Sequence, residues 1–336
     1  MITIAVDCMG GDYGPAVTLP ACAAFLASHP DAHLLLVGLP EALAKLPASI
    51  DQTRIQVIAA SEVVTMDDPL EVALRRKRDS SMRVAINQVK DGAAQAAVSA
   101  GNTGALMAMS KLALRTMPGI DRPALAALLP SLGEKDFVML DLGANTECEA
   151  KNLVQFAIMG AAYSRIIFGF DRPRVRLLNI GTEEMKGTES LRDAAQHLRD
   201  ASGLHMDFQG FVEADKINRG ECDVVVCDGF TGNIALKSIE GTARFVTDLL
   251  RRAFTSSIRS KFGFLVSRPA TELLRHHLDP NNHNGAVFMG LNGVVVKSHG
   301  SANIKGVAHA VEVAARLVEE DITARITQDL ARVQAG

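Results

Sequence analysis

The chain has 336 residues, of which 48% are hydrophobic and 22% charged, which excludes a disordered or collagen-like protein and provides for a sizeable core. Only 4% of the residues are aromatic, so the core must be aliphatic and rich in alanine, as in helices packed on a sheet. The 35 Lys and Arg against 38 Asp and Glu give a formal net charge of −3, which disfavours a nucleic acid as partner.

Short apolar runs alternate along the chain with stretches of helical spacing, which predicts an α/β fold with a parallel sheet and crossover helices. Six of the runs end in small polar residues and glycine before the next helical stretch, and we call these segments joints. Because ligands of open α/β sheets lie beyond the carboxyl ends of the strands, we expect all joints to gather at one edge of the sheet. The joints are residues 6–12, 98–104, 140–145, 178–183, 226–233 and 297–303.

One segment, residues 244–280, is predicted to protrude from the single α/β domain that we expect over residues 1–336. It is basic and carries an apolar tip that includes Phe262, Phe264 and Leu265. An apolar tip with basic neighbours is suited to an anionic membrane surface. A dimer contact or a buried helix tip explains the same pattern equally well.

Several features bear on the compartment and on the reaction. The five cysteines show no C-x-x-C spacing, and the sequence shows neither a signal-peptide pattern nor an apolar run of about 18 residues, so we expect a cytoplasmic protein with reduced thiols.

The motifs G-x-S-x-G, H-E-x-x-H, Walker A and G-x-G-x-x-G are absent, which disfavours serine hydrolases, zinc proteases, P-loop kinases and ordinary NAD-binding proteins.

The joints offer neutral hydrogen-bond donors and a lysine in a loop, the combination that binds phosphate. A phosphate-binding transferase fits these residues. If phosphate attacks a thioester carbonyl, the protein has to hold the anion in line and stabilise the tetrahedral oxyanion, and it needs no nucleophile of its own.

The joints also carry a family resemblance, which runs in order from about residue 2 to residue 315. The chain resembles the PlsX family, the bacterial acyl-carrier-protein:phosphate acyltransferases. The matching runs are residues 7–12, 73–77 with Ser80 and Ser81, 98–106, 178–183, 228–233 and 297–300.

The resemblance implies that acyl-ACP, the acylated acyl carrier protein, and inorganic phosphate react to give acyl phosphate and free ACP on the way to phosphatidic acid. It further implies a three-layer α/β/α Rossmann-like fold of the isocitrate/isopropylmalate dehydrogenase type and a homodimer. Peripheral membrane association beside an acyl-phosphate:glycerol-3-phosphate acyltransferase is also implied.

For the site we hypothesise that Lys186 is the main cation on phosphate or on the developing oxyanion. Asn233 is expected to donate to the same groups, and His299 to protonate the departing thiolate, with a structural histidine as the alternative. Further phosphate or thioester contacts are expected from Ser99, Asn102, Thr103, Gly229 and Thr231. Helix capping is the competing interpretation for these polar side chains.

Four aspartates that end or follow strands are expected to orient donors or to hold a lysine rather than a metal, and no cofactor is expected. They are Asp7, Asp12, Asp141 and Asp228. A basic strip of Arg75, Arg76 and Lys77 is expected to dock the acidic carrier protein, unless it is merely a solvated helix face.

Three other functions stay open at this point. A phosphate acetyltransferase that uses acyl-CoA has the same donor requirements. A decarboxylating dehydrogenase that depends on metal and nucleotide is suggested only by analogy of fold, and a non-catalytic scaffold would attach to the membrane without turnover.

Overall fold

The structure, a computed structural model that describes residues 2–334, is built around one sheet of eleven strands. The strands are three to seven residues long, and all but the two at the edges of the sheet are mostly buried, because apolar runs alternate with helices along the chain. They are β1 (Ile2–Asp7), β2 (Ala32–Gly38), β3 (Ile55–Ala59), β4 (Ala96–Ser99), β5 (Ala124–Leu129), β6 (Phe137–Leu140), β7 (Arg174–Leu178), β8 (Asp207–Val212), β9 (Val224–Val226), β10 (Ala286–Met289) and β11 (Val294–Lys297).

Twelve α-helices connect the strands within the described residues. The last helical stretch of the chain, residues 304–334, is divided into two helices, because the chain takes a left-handed conformation at Asp321, with φ of 46°. The helices are α1 (Pro15–Ser28), α2 (Pro40–Leu43), α3 (Leu70–Arg75), α4 (Ser81–Lys90), α5 (Thr103–Leu114), α6 (Ala150–Phe168), α7 (Glu189–Asp200), α8 (Gly229–Thr255), α9 (Ile258–Val266), α10 (Arg268–Leu278), α11 (Ile304–Glu319) and α12 (Ile322–Gln334).

The strand order is β3–β2–β1–β4–β11–β10–β5–β6–β9–β7–β8. The pairs β11/β10, β10/β5 and β5/β6 are antiparallel and all other pairs are parallel. Strands β1 to β5 and β11 therefore run in one direction, and β6 to β10 run in the other.

This reversal divides the joints into two groups. The joints after β1, β4 and β11 lie at one edge, here called the first edge, and those after β6, β7 and β9 lie at the opposite, second edge. The expectation that all joints share one edge is wrong, because the three antiparallel pairs at the centre of the sheet turn half of the strands around.

Helices cover both faces of the sheet and give the three layers that the sequence predicts. One face packs against α1, α6, α7, α11 and α12, with Phe25, Phe156 and Tyr163 among its largest buried side chains. The other face packs against α4, α5 and the first part of α8, around Phe137 and Phe288. Aliphatic and alanine side chains fill most of the space between these few rings.

Beyond the first part of α8, the helical segment that follows β9 stands away from this core. Residues 233–275 include no buried residue. Helix α9 packs against its neighbours α8 and α10, and the Phe254 and Phe264 rings lie 5.3 Å apart. After α10 the chain comes back to the sheet, and there His283 Nδ1 lies 2.8 Å from Asp136 Oδ2. This contact attaches the segment to the turn between β5 and β6. None of the helices described in residues 2–334 has the length and apolar character to cross a membrane.

Candidate active site

At the first edge the joints after β1, β4 and β11 are in backbone contact. A Cβ on Gly10 would lie 2.7 Å from the Gly101 nitrogen, and one on Gly11 would lie 2.9 Å from the Gly300 oxygen. Gly11 also has φ of 87°, a conformation that other residues rarely adopt. Only glycine therefore lets these joints come together.

Asp7 and Ser99 form the buried polar centre of this edge. Ser99 Oγ donates to Asp7 Oδ2 at 2.7 Å and accepts from the Gly101 nitrogen at 3.1 Å. Burial raises the pKa of Asp7, an effect that the hydrogen bonds to its carboxylate partly offset. Because the Ser99 hydroxyl is already engaged here, it orients the joint, and its contact with a ligand stays a prediction.

The turn after β4 begins α5. The Asn102 side chain accepts from the Ala105 nitrogen at 3.0 Å as the N-cap, and its amide donates to the Met66 oxygen at 2.9 Å. Capping thus accounts for Asn102. Thr103, the first residue of the helix, is exposed, so its hydroxyl and the free N–H groups of this turn are open to a ligand.

His299 is an exposed residue in the joint after β11. Its Nδ1 accepts from the nitrogen and the hydroxyl of Ser301, at 3.3 and 3.0 Å. Burial lowers the pKa of His299, and the carboxylate of Glu240 on α8 opposes this effect. The imidazole is therefore neutral near pH 7 and carries its proton on Nε2, from which it can donate a hydrogen bond.

Sequence reasoning gave no role to Lys297, the last residue of β11. Its side chain is buried, and burial lowers its pKa to about 8. The signal in the sequence was a single charged residue directly after Val294–Val296, in a joint otherwise made of neutral residues.

At the second edge Asp141 organises the joint after β6. Its carboxylate is fully buried and accepts from five N–H groups at 2.8 to 3.2 Å. Burial raises its pKa, while the hydrogen bonds favour the charged form. The donors are the backbone nitrogens of Leu125, Gly143, Ala144 and Asn145 and the side-chain amide of Asn145.

The first turn of α8 packs directly on this loop. The Gly229 nitrogen donates to the Asn145 oxygen at 2.7 Å, and a Cβ on Gly232 would lie 1.9 Å from the Asp141 oxygen. Asp228 caps the helix and accepts from both the nitrogen and the hydroxyl of Thr231, at 2.8 and 2.7 Å. The N–H of Gly229 and the hydroxyl of Thr231 are thus engaged within the protein.

Asn233 occupies the next exposed position on α8. Its side-chain amide donates to the Leu142 oxygen at 3.2 Å, which leaves its carbonyl oxygen and second N–H available.

Lys186 lies in the loop after β7. Asn179 shapes this loop, because its side chain accepts from the Ile180 nitrogen at 2.8 Å and donates to the Lys186 oxygen at 3.1 Å. The Lys186 ammonium is 3.3 Å from Glu183 Oε1 and half exposed. Since β7 pairs with β9 in parallel, this loop and the first turn of α8 lie side by side at the second edge.

The predicted site residues therefore fall into two sets. Ser99, Asn102, Thr103 and His299 lie at the first edge, whereas Lys186, Gly229, Thr231 and Asn233 lie at the second. Helix α8 connects the two edges, because it starts at the second and brings Glu240 and Lys237 into electrostatic range of His299. The four aspartates were expected to orient donors or to hold a lysine. Asp7, Asp141 and Asp228 accept hydrogen bonds from neighbouring donors, and Asp12 favours the charged form of Lys297.

The predicted docking strip is only partly exposed. Arg75 and Arg76 lie on the surface at the end of α3, and Arg75 Nη1 is 2.9 Å from Glu71 Oε1. Lys77 turns inward, where its ammonium contacts Asp68 Oδ2 at 2.5 Å and the Val63 oxygen at 2.7 Å.

Comparison with known proteins decides the family. The family model described as "Fatty acid synthesis protein" matches residues 2–325. A phosphate acyltransferase of Erythrobacter litoralis is 66% identical over 98% of this chain and 94% of its own. One of Albidiferax ferrireducens is 52% identical over 90% of this chain and 86% of its own. The chain belongs to the phosphate acyltransferase family. The predicted family and enzyme class, an acyltransferase of fatty acid and phospholipid synthesis, are thereby confirmed.

Solved structures place the fold of this phosphate acyltransferase. A phosphotransacetylase of Streptococcus pyogenes superposes with a TM-score of 0.61 at 18% identity, covering 95% of this chain and 94% of its own. A putative 4-hydroxythreonine-4-phosphate dehydrogenase of Salmonella typhimurium gives 0.57 at 15% identity, covering 94% of this chain and 100% of its own. The predicted fold of the isocitrate/isopropylmalate dehydrogenase type is confirmed.

Proposed function

We propose that the protein transfers the acyl group of acyl-ACP to inorganic phosphate, and that this reversible step feeds phosphatidic acid and phospholipid synthesis. A phosphate oxygen attacks the thioester carbonyl, the carbon–sulfur bond breaks, and the pantetheine thiolate leaves and takes up a proton. The products are acyl phosphate and free ACP.

The observation that carries this proposal is the parallel pairing of β7 with β9, because it brings the loop that carries Lys186 to the same edge of the sheet as the first turn of α8. A half-exposed ammonium and the free donor of Asn233 are together suited to an anion. Lys186 stabilises the attacking phosphate and the oxyanion, and Asn233 orients the thioester. His299 supplies a neutral donor from the other edge along α8.

Direct attack is favoured over a covalent acyl-enzyme by the state of the thiols at the joints. Burial raises the pKa values of Cys8 and Cys227 well above the usual value of a thiol. It raises the pKa of Cys148 to about 12. Since the thiolate is the nucleophile, these cysteines are poorly suited to carry the acyl group.

An assay with palmitoyl-ACP and phosphate tests the proposal. Free ACP thiol is followed, acyl phosphate is trapped with hydroxylamine, and palmitoyl-CoA serves as the parallel donor. Phosphate-dependent thiol release from palmitoyl-ACP supports the proposal. Release from palmitoyl-CoA alone would favour a reaction like that of the phosphotransacetylases that share this fold, and release from neither would favour the dehydrogenase or the scaffold.

Arg75 and Arg76 are proposed to dock the acidic carrier protein. We expect the double replacement Arg75→Glu with Arg76→Glu to raise the KM for acyl-ACP about tenfold at low salt, with kcat nearly unchanged, because charge complementarity acts mainly on encounter. The difference from the wild type should shrink as salt is added. Exposed Arg251 and Arg252 on α8, changed in the same way, are the matched control. An unchanged KM would mean that Arg75 and Arg76 are only solvated.

The tip of α9 is proposed to contact an anionic membrane surface. Phe262, Phe264 and Leu265 are 68%, 43% and 64% exposed, and Arg259 and Lys261 lie beside them. We expect Phe264→Asp with Leu265→Asp to abolish sedimentation with anionic vesicles and to leave turnover of the free enzyme unchanged. The exposed leucines outside the tip, Leu112 and Leu132, provide the control pair. Undiminished sedimentation would place the anchor elsewhere.

Two further partners follow from this proposal. Two copies of the chain form a homodimer that presents two tips, so that weak insertions act together. Acyl phosphate is consumed by an acyl-phosphate:glycerol-3-phosphate acyltransferase at the same membrane, which accounts for a peripheral location of a cytoplasmic enzyme.

A further inference from the structure

Lys297 is a buried cation at the centre of the first edge. Its side chain retains only 7% of its accessible surface. The ammonium donates to the Ala100 oxygen at 3.2 Å and to the Ser298 oxygen. An ammonium in this position is costly to bury unless its donors and its charge are satisfied.

The charges that face Lys297 come from two segments, the joint after β1 and helix α8. Asp7 ends β1 and Asp12 follows it in the same joint, and both carboxylates favour the charged ammonium. Lys237 on α8 opposes it. Burial has the largest effect and lowers the pKa of Lys297 to about 8, so the group is mainly charged at pH 7 and loses its charge in mildly alkaline solution.

The two carbonyls that Lys297 binds belong to different joints. Ala100 lies between Ser99 and Gly101, directly before the first turn of α5, and Ser298 lies directly before His299. Both joints also touch the joint after β1, since Ser99 Oγ donates to Asp7 Oδ2 at 2.7 Å and the Asp12 nitrogen donates to the Gly300 oxygen at 2.8 Å. A displacement of the Lys297 ammonium would therefore move the first turn of α5 relative to His299.

We propose that Lys297 is a positioning residue for acyl transfer, because its ammonium binds the joints after β4 and β11 to each other and so fixes Thr103 and His299 in one arrangement toward the substrate. The expected effect of Lys297 on kcat rests on the proposed function, whereas the link that it makes between the two joints does not. Lys297 acts through its neighbours and makes no bond to the reacting atoms.

Replacement by methionine, which keeps the length and packing of the side chain, tests the kinetic consequence. We expect Lys297→Met to lower kcat about tenfold or more, with the KM for phosphate within about twofold of the wild type, because orientation is lost and binding is not. Lys111→Met, at an exposed lysine on α5, is the control. An unchanged kcat, or a KM for phosphate that rises at constant kcat, would overturn the proposal.

The pH dependence separates positioning from mere stability. In the wild type kcat should fall as Lys297 loses its proton near its pKa of about 8, and the residual kcat of Lys297→Met should lack this fall. A fall of the same size in both proteins would overturn the proposal.

Hydrogen exchange of the wild-type protein tests the structural role of Lys297 without any substrate. It therefore does not depend on the proposed function, and it can be measured even if Lys297→Met does not fold. Hydrogen exchange of the wild type is followed across the same pH range, corrected for the intrinsic rate of each amide. Protection in residues 100–104 and 298–301 should decrease above the pKa of Lys297, while protection in α6 stays constant. Constant protection at both joints would contradict the proposal that the Lys297 ammonium holds the two joints together. If protection does change with pH but the acyl-ACP assay shows no turnover, only the proposed function is contradicted.

Discussion

We expect Lys186→Ala to lower kcat by about 100-fold or more, because a donor to a developing oxyanion acts mainly in the transition state. The protein should fold as before. The Lys186 ammonium is half exposed and its partner Glu183 is on the surface, and exposed ion pairs of this kind contribute little to stability. Steady-state kinetics with saturating acyl-ACP and phosphate, together with thermal unfolding, measure both effects.

Lys216 provides a matched control for this experiment. It follows β8, the neighbour of β7, and pairs with Glu213 three residues earlier at 2.8 Å, just as Lys186 pairs with Glu183. Lys216→Ala should therefore keep the kcat of the wild type. If Lys186→Ala also turns over at a nearly normal rate with saturating substrates, Lys186 has no part in the mechanism.

Gly232→Ala is expected to have the largest effect on stability. The added Cβ would lie 1.9 Å from the Asp141 oxygen, which is backbone and cannot turn aside as a flexible side chain would. The first turn of α8 or the loop that Asp141 holds has to shift, and overpacking of this severity costs about 3 kcal/mol or more of the free energy of unfolding. Chemical denaturation gives that free energy, and kcat should fall as well because the same turn carries Asn233.

Gly241 on the same helix is the control for this substitution. A Cβ there would meet nothing within 4 Å. Gly241→Ala should therefore stabilise the protein by up to about 1 kcal/mol through helix propensity alone. Because both variants add the same methyl group to α8, the difference between them measures the contact with Asp141. Equal free energies of unfolding would mean that α8 does not begin against this loop.

The features that the sequence predicts well are local ones, the joints and the helix caps. A run of apolar residues, then small polar residues and glycine, then helical spacing is enough to locate each joint, as at Asp228–Asn233. The N-caps follow from the same pattern, and Asn102 and Asp228 serve as caps in the structure.

What the sequence could not predict depends on contacts between distant segments. The division of the joints between two edges follows from the three antiparallel pairings at the centre of the sheet, β11 with β10, β10 with β5 and β5 with β6, and these leave no mark in the apolar runs themselves. The hydrogen bond between Ser99 and Asp7 joins residues 92 positions apart, and that between Lys297 and Ala100 joins residues 197 apart. Whether such a polar side chain faces a ligand or another joint is decided only when the sheet has assembled.

The position of β10 and β11 has a consequence for how the chain folds. These strands come from residues 286–297, yet they lie between β4 and β5 in the middle of the sheet. While the ribosome is still adding those residues, the facing sides of β4 and β5 have no backbone partners. Such non-local pairing slows folding and leaves strand edges open to misassembly. The sheet can therefore be completed only after residues 286–297 have been synthesised, and until then the facing edges of β4 and β5 are open to misassembly.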